Sequence, residues 1–127
     1  MHIHHIAIIC SNYEISKNFY TEILGLRILY EVYRADRDSY KLDLGIGNQY
    51  IIELFSFPNP PARPSRPESC GLRHLAFAVE NVEDKRAELI SKGLVCEEIR
   101  VDEFTNKKFF FTRDPDDLPL EFYEMNG

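Results

Sequence analysis

Four polar residues stand in apolar, strand-like surroundings. They are His5 in His5-Ile6-Ala7-Ile8, Glu53 in Ile52-Glu53-Leu54-Phe55, His74 in His74-Leu75-Ala76-Phe77 and Glu121 in Leu120-Glu121-Phe122-Tyr123. Each glutamate follows its histidine at nearly one spacing, 48 residues in the first case and 47 in the second. Side chains alternate along a strand, so His5 shares a face with Ala7 and Ile9, and Glu53 with Ile51 and Phe55. His74 goes with Ala76 and Ala78, and Glu121 with Tyr123 and Met125. Burying a carboxylate unpaired beside such neighbours costs on the order of several kcal/mol. Two imidazoles and two carboxylates together form a mixed nitrogen and oxygen donor set for a divalent transition-metal ion. A lone histidine on an apolar face is more often a hydrogen-bonded core residue; it is the repetition of the pair that points to a common ion. His2 and His4 have the opposite parity to His5 and are set aside.

The elements that must carry these residues repeat as well. With His5 set on His74, Asn12-Tyr13-Glu14 falls on Asn81-Val82-Glu83, and Gly25-Leu26 falls within one residue of Gly93-Leu94. Four matches in register argue for a duplicated unit. In the first half, Met1 to Cys10 reads as a strand. Ser11-Asn12-Tyr13-Glu14 has the form of a capping box, and Ile15, Phe19 and Ile23 make a helical stripe that Gly25 ends. Strands are expected over Arg27 to Arg34, Tyr40 to Leu44 and Gln49 to Phe57, the last entered by a Gly47-Asn48 turn. The second half repeats the order: strand Leu72 to Val79, helix Val82 to Lys92, then strands Leu94 to Val101, Lys107 to Arg113 and Leu118 to Met125. The fold class is therefore α+β, built as βαβββ twice. Module 1 covers about 1–57 and module 2 about 71–127. Between them, 58–70 holds five of the seven prolines and reads as a semi-rigid extended connector. If the first strand of a unit pairs beside its last, each His meets its Glu on one face, and two facing units bring all four together.

Composition narrows the class. A chain of 127 residues, 44% apolar and 28% charged, suits one compact domain that needs no structural staple. A net charge of −6, spread along the chain, disfavours nucleic acid and membrane surfaces as partners. No apolar run approaches the roughly 18 residues of a membrane span, and no leader pattern opens the chain. Cys10, Cys70 and Cys96, odd in number and without Cys-x-x-Cys spacing, suit a reducing compartment, so a cytoplasmic location is expected.

His5-x-Ala7, Glu53 in its apolar strand, Gly71-Leu72-Arg73-His74-Leu75-Ala76-Phe77 and Asp114-Pro115-Asp116-Asp117 running to Glu121 resemble the vicinal oxygen chelate superfamily, whose members include glyoxalases, bleomycin resistance proteins and dihydroxybiphenyl dioxygenases. The likeness covers essentially the whole chain, as one such domain over 1–127, and is greatest to short bacterial glyoxalase I-like (lactoylglutathione lyase-like) proteins. It implies paired modules forming a metal-containing cleft. His5, Glu53, His74 and Glu121 match the four metal-ligand positions, and Ni, Co or Zn, with Mn or Fe also accepted, is the implied cofactor. It further implies a homodimer in which a site can draw on two chains. The implied reaction is proton transfer at a carbon α to a carbonyl, on a small-molecule substrate with oxygens on adjacent carbons, such as a hemithioacetal. Glu121 is then both ligand and base, with Glu53 its near-symmetrical catalytic partner.

The chain departs from that pattern in one place. Glutathione-dependent relatives often carry an arginine four residues after the first ligand histidine; here that position is Ile9. Arg34 and Arg37 are alternative anchors for an anionic substrate, and Lys107 and Lys108 sit where a lid could close. Phe109-Phe110-Phe111 must place at least one ring on each face of its strand. Three other readings share the frame: a non-haem iron extradiol dioxygenase, which uses two His and one carboxylate, a thiol transferase acting on an antibiotic, to which no feature of the chain points, and a metal-free antibiotic-binding resistance protein.

Overall fold

A computed structural model describes residues 1–125 of the chain; residues 126 and 127, at the end of the second expected module, lie outside the described residues. The chain divides into two compact units, Met1–Ala62 and Arg63–Gly127. In unit 1, β1 (Ile6–Cys10) leads to α1 (Tyr13–Asn18), a wider π-type turn over Phe19–Ile23, and then β2 (Arg27–Arg34), β3 (Ser39–Ile46) and β4 (Gln49–Ser56). Unit 2 follows the same order with β5 (Leu75–Val79), α2 (Val82–Ser91), β6 (Arg100–Val101), β7 (Lys108–Arg113) and β8 (Pro119–Glu124). Each unit holds one four-stranded mixed sheet, ordered β1-β4-β3-β2 and β5-β8-β7-β6. The architecture is the α+β tandem of βαβββ modules expected from the repeat.

The closing contact is the parallel pairing of first and last strands. In unit 1, Ala7 stands opposite Glu53; in unit 2, Ala76 stands opposite Glu121. One face of each sheet is the core. Ile8, Cys10, Leu42, Leu44, Ile52 and Leu54 are buried in unit 1 together with Tyr13, Phe19 and Tyr20 from the helical segment. In unit 2 the buried set is Phe110, Leu120 and Phe122 with Val82 and Leu89 of α2. Each fully buried side chain of this size contributes about 1.5–3 kcal/mol of transfer free energy. Glu53 and Glu121 have the opposite parity and lie on the other face of their sheets.

The first helix is capped one residue later than the capping-box reading, which took Ser11 as the cap, whereas α2 starts at Val82 as expected. Asn12 and Asn81 are the caps, their side-chain oxygens accepting from the backbone N–H of Ile15 (3.1 Å) and Asp84 (2.8 Å). An Asn in extended conformation reaches the N3 donor as well as Ser does. Ile15 is exposed and off the buried stripe, which runs through Tyr13, Ser16, Phe19 and Tyr20 at the three- and four-residue spacing of a helix. Gly25 and Gly93 have φ of +82° and +95°, the left-handed conformation that stops each helix.

The strand expected over Leu94 to Val101 is reduced to Arg100–Val101. Along 94–99 a backbone bond from Glu97 N–H to the Phe111 carbonyl (2.9 Å) stands in place of a regular ladder. The first strands also start later than expected, so that His5 and His74 each stand one residue ahead of theirs. The proline-rich stretch is not only a connector. Arg63 donates to the carbonyls of Leu72 (2.7 Å) and Arg73 (3.2 Å), and Ser65 donates to that of Asp117 (2.8 Å), so its second half folds onto unit 2. No helix among the described residues is long and apolar enough to cross a membrane, and no cysteine among them is in a disulfide.

Candidate functional site

Each unit brings its histidine and its glutamate together. His5 Nε2 lies 3.6 Å from Glu53 Oε1, and His74 Nε2 lies 3.4 Å from Glu121 Oε1. Both glutamate side chains are largely covered, at 16% and 14% exposure, while the histidines keep 35% and 26%. The local cause is the same in both units. The histidine precedes the first strand by one residue and shares its face with the alanine opposite the glutamate, whose small side chain leaves the carboxylate room to reach the ring.

The residue before each histidine takes its other ring nitrogen. His4 Nδ1 lies 2.8 Å from His5 Nδ1, and Arg73 Nη1 lies 3.1 Å from His74 Nδ1. A guanidinium only donates, so His74 Nδ1 accepts. In both units Nε2 is therefore the nitrogen turned towards the carboxylate.

The surroundings of the two pairs differ. In unit 1 the residue across the ladder from Glu53 is Asp43, which is buried. Lys41 Nζ bridges the two carboxylates, at 2.6 Å from Asp43 and 3.2 Å from Glu53. The Tyr50 hydroxyl lies 2.7 Å from Asp43 and 3.3 Å from Glu53. Burial opposes the Lys41 charge, but its bonds to Asp43 and Glu53 outweigh this and raise its pKa. Burial, and then the bond to Asp43, push the Tyr50 hydroxyl upward too, so it stays a donor. In unit 2 the position across from Glu121 is Phe111, whose ring meets the His74 ring edge-on at 5.1 Å.

Lys41, Asp43 and Tyr50 were not singled out from sequence. The available signal was the charge pair Lys41-x-Asp43 inside an otherwise apolar strand, at the parity that faces Glu53. Arg34 donates to Ser39 Oγ (2.8 Å), its guanidinium lies over the rings of Phe55 and Phe57 at 4.9 and 5.7 Å, and its Nε is buried with no hydrogen-bond partner among the described residues. Arg37 falls in an exposed 3₁₀ turn. Lys108 pairs with Glu83 at 3.3 Å. Of the phenylalanine triple, Phe110 is buried in the core, while Phe109 and Phe111 line the Glu121 face.

By residue type each pair suits a metal ion, although for His74 Nε2 to be a ligand its proton must move to Nδ1 and the Arg73 contact there must be given up. Neighbouring ligands of one six-coordinate ion, each at about 2.1 Å, stand about 3 Å apart, a small adjustment from the observed separations. Among the described residues no group of three or more His, Cys, Asp or Glu is arranged to hold an ion, so each unit by itself offers two donors of the four.

The profile of the Glyoxalase/Bleomycin resistance protein/Dioxygenase superfamily matches residues 2–122. The chain belongs to this superfamily. It is 59% identical over 123 residues to the uncharacterized protein YaeR of Escherichia coli (strain K12), covering 97% of this chain and 95% of that one. It is 57% identical over 123 residues to the uncharacterized protein YwkD of Bacillus subtilis (strain 168), covering 97% and 96%. The crystal structure of a glyoxalase family protein from Enterococcus faecalis is similar at 51% identity and a TM-score of 0.90, over 97% of both chains. More distant likenesses, under 25% identical, show the shared fold alone.

Proposed function

We propose that this chain is a divalent-metal-dependent lyase or isomerase of the glyoxalase I type, moving a proton at a carbon next to a carbonyl in a small substrate with vicinal oxygens. The observation that carries this reading is the duplicated pair: a histidine Nε2 turned towards a glutamate oxygen at 3.6 Å in unit 1 and 3.4 Å in unit 2, at equivalent register. Membership of a superfamily named for glyoxalase supports it. His5, Glu53, His74 and Glu121 are the proposed ligands of one ion, Ni, Co or Zn with Mn and Fe as further candidates. The two units together make one vicinal oxygen chelate domain over 1–127. Because each unit by itself offers half the donor set, the complete site needs two halves, and a cytoplasmic homodimer pairing one chain's half with its partner's is the assembly we propose.

The ion, when bound, would stabilise negative charge developing on two adjacent substrate oxygens. The protein's own residues do the rest. Glu121 accepts the proton at a carboxylate oxygen, in a setting where Phe111 rather than a charged group stands across the ladder. Glu53, bonded to Lys41 and near Tyr50, is the more restrained carboxylate and serves chiefly to position.

The test is a screen of hemithioacetals and α-hydroxy carbonyl compounds with protein reconstituted separately with Ni, Co, Zn, Mn and Fe, run with and without oxygen. Metal-dependent turnover that is indifferent to oxygen is expected. Oxygen-dependent ring cleavage would move the chain to the dioxygenase reading. Purified protein that takes up no ion would move it to a metal-free binder. Light scattering checks the dimer, and a mass of one chain counts against it.

A further inference from the structure

Unit 2 contains a cavity of about 540 Å³ whose walls carry five of the chain's nine arginines and none of its six lysines. Arg63, Arg66 and Arg73 come from the segment before β5, Arg100 from β6 and Arg113 from β7, with Phe111 forming part of the wall. The concentration is unusual in a chain of net charge −6. Two carboxylates, Glu68 and Glu97, share the lining. With Asp117, bonded to Arg66 (2.7 Å) and Arg113 (3.2 Å), three carboxylates face five guanidinium groups.

The arrangement leaves donor capacity directed at the cavity. Arg100 and Arg113 share Glu97 at loose distances of 3.4 and 3.6 Å. The Arg100 guanidinium lies over the rings of Phe109 and Phe111 at 5.0 and 5.8 Å, which fixes its plane and leaves its N–H edges to meet a ligand. Arg66, Arg73 and Arg100 are more than half exposed; the ion pairs of Arg66 and Arg100 are of the weak, exchangeable kind, whereas Arg73 holds Glu68 through two bonds of 3.0 Å. A wall of arginine without lysine favours flat, bidentate oxyanions. Phe111 and Arg73 belong both to this wall and to the surroundings of His74, so the wall is continuous with those surroundings. The volume accommodates a small metabolite.

We propose that this cavity is the anchor for a dianionic oxyanion group, a phosphate ester or a pair of neighbouring carboxylates, on the substrate of the site described above. The assignment of that anion to a substrate rests on the proposed function; the binding site itself does not. It places the anion anchor in unit 2 rather than at Arg34 and Arg37.

The experiment is calorimetric titration of the full-length chain, stripped of metal on a chelating resin, with inorganic phosphate, malonate and acetate at low ionic strength. Saturable binding of phosphate or malonate at one site per chain is expected, with acetate at least about tenfold weaker. Tighter binding of phosphate identifies a phosphoryl arm, and tighter binding of malonate a dicarboxylate. Arg100→Gln and Arg113→Gln should each weaken the dianion at least about tenfold, while Arg37→Gln leaves it unchanged. Shifts of the arginine Nε–H and Phe111 signals in NMR spectra of the unaltered protein give a readout that needs no variant. No saturable binding, acetate equal to the dianions, or the same loss in Arg37→Gln overturns the proposal. Because the titration is metal-free, its failure leaves the metal-dependent reading standing. Conversely, dianion binding in a protein that takes up no ion keeps this site and removes that reading.

Discussion

The two halves of the molecule carry the same histidine and glutamate on the same strands, yet hold them in opposite ways. In unit 1 the glutamate faces a buried aspartate, with a lysine bridging the carboxylates and a tyrosine hydroxyl beside them. In unit 2 the corresponding neighbour is a phenylalanine, and the nearby charge is the arginine that meets the histidine. The His–Glu pair is common to the two units while its neighbours differ. A carboxylate with a fixed ammonium is well suited to hold a position; one beside a ring is better suited to exchange a proton.

The strongest way to break this comparison is at the glutamates. Glu121→Gln should lower kcat by about 10²–10⁴-fold once a substrate is in hand, and Glu53→Gln by less. Equal losses, with metal content measured alongside, would make the two carboxylates equivalent. Next come the histidines: His5→Ala and His74→Ala should each weaken metal binding by more than about tenfold, read by equilibrium dialysis with elemental analysis. If only one does so, the ion belongs to a single unit.

Stability sharpens the contrast further. Lys41→Met leaves Asp43 and Glu53 facing each other without their bridge and should cost about 1–3 kcal/mol in denaturant unfolding, against about 1 kcal/mol for Phe111→Leu. A smaller effect follows where α1 meets β2: Glu31 of β2 takes hydrogen bonds from Lys17 (2.8 Å) and Tyr13 of α1. Lys17 first, and then Tyr13, hold the Glu31 carboxyl below its ordinary range. A depressed carboxylate stabilises above its unfolded pKa of about 4.3, and the benefit is lost as pH falls through the lower folded value. The Tm of Glu31→Gln should therefore lie below that of the unaltered protein at pH 7, with the gap closing below about pH 4. Last, Asn12→Ala and Asn81→Ala should each cost about 1 kcal/mol, matched between the units because the caps match.

Much of the frame was legible because it is written in local chemistry. Gly25 and Gly93 mark helix ends through a backbone conformation other residues avoid, and the proline run marks the division between halves. The His–Glu pairs were legible through parity and repetition. Other features depend on register, which no single segment contains. Lys41 and Asp43 read as ordinary strand charges until the β3–β4 ladder sets Asp43 opposite Glu53. The arginine cavity draws on residues as far apart as Arg63 and Arg113, so no window of sequence holds it. The segment 94–99 misled through its apolar start: Leu94 and Val95 resemble a strand, while the Glu97-Glu98 pair sits where β6 borders only β7.

The parallel union of β1 with β4, and of β5 with β8, has a kinetic consequence. Strands β2 to β4 join their chain neighbours through short connections, whereas β1 is delivered to β4 only by closing a loop that spans the rest of the unit. Closing it costs chain entropy before any pairing rewards it, so in each unit this junction belongs to the late part of assembly. Until that junction closes, the imidazole and the carboxylate of a unit lie 48 residues apart along the chain in unit 1 and 47 in unit 2. Completion of the sheet and the meeting of histidine with glutamate arrive in the same step.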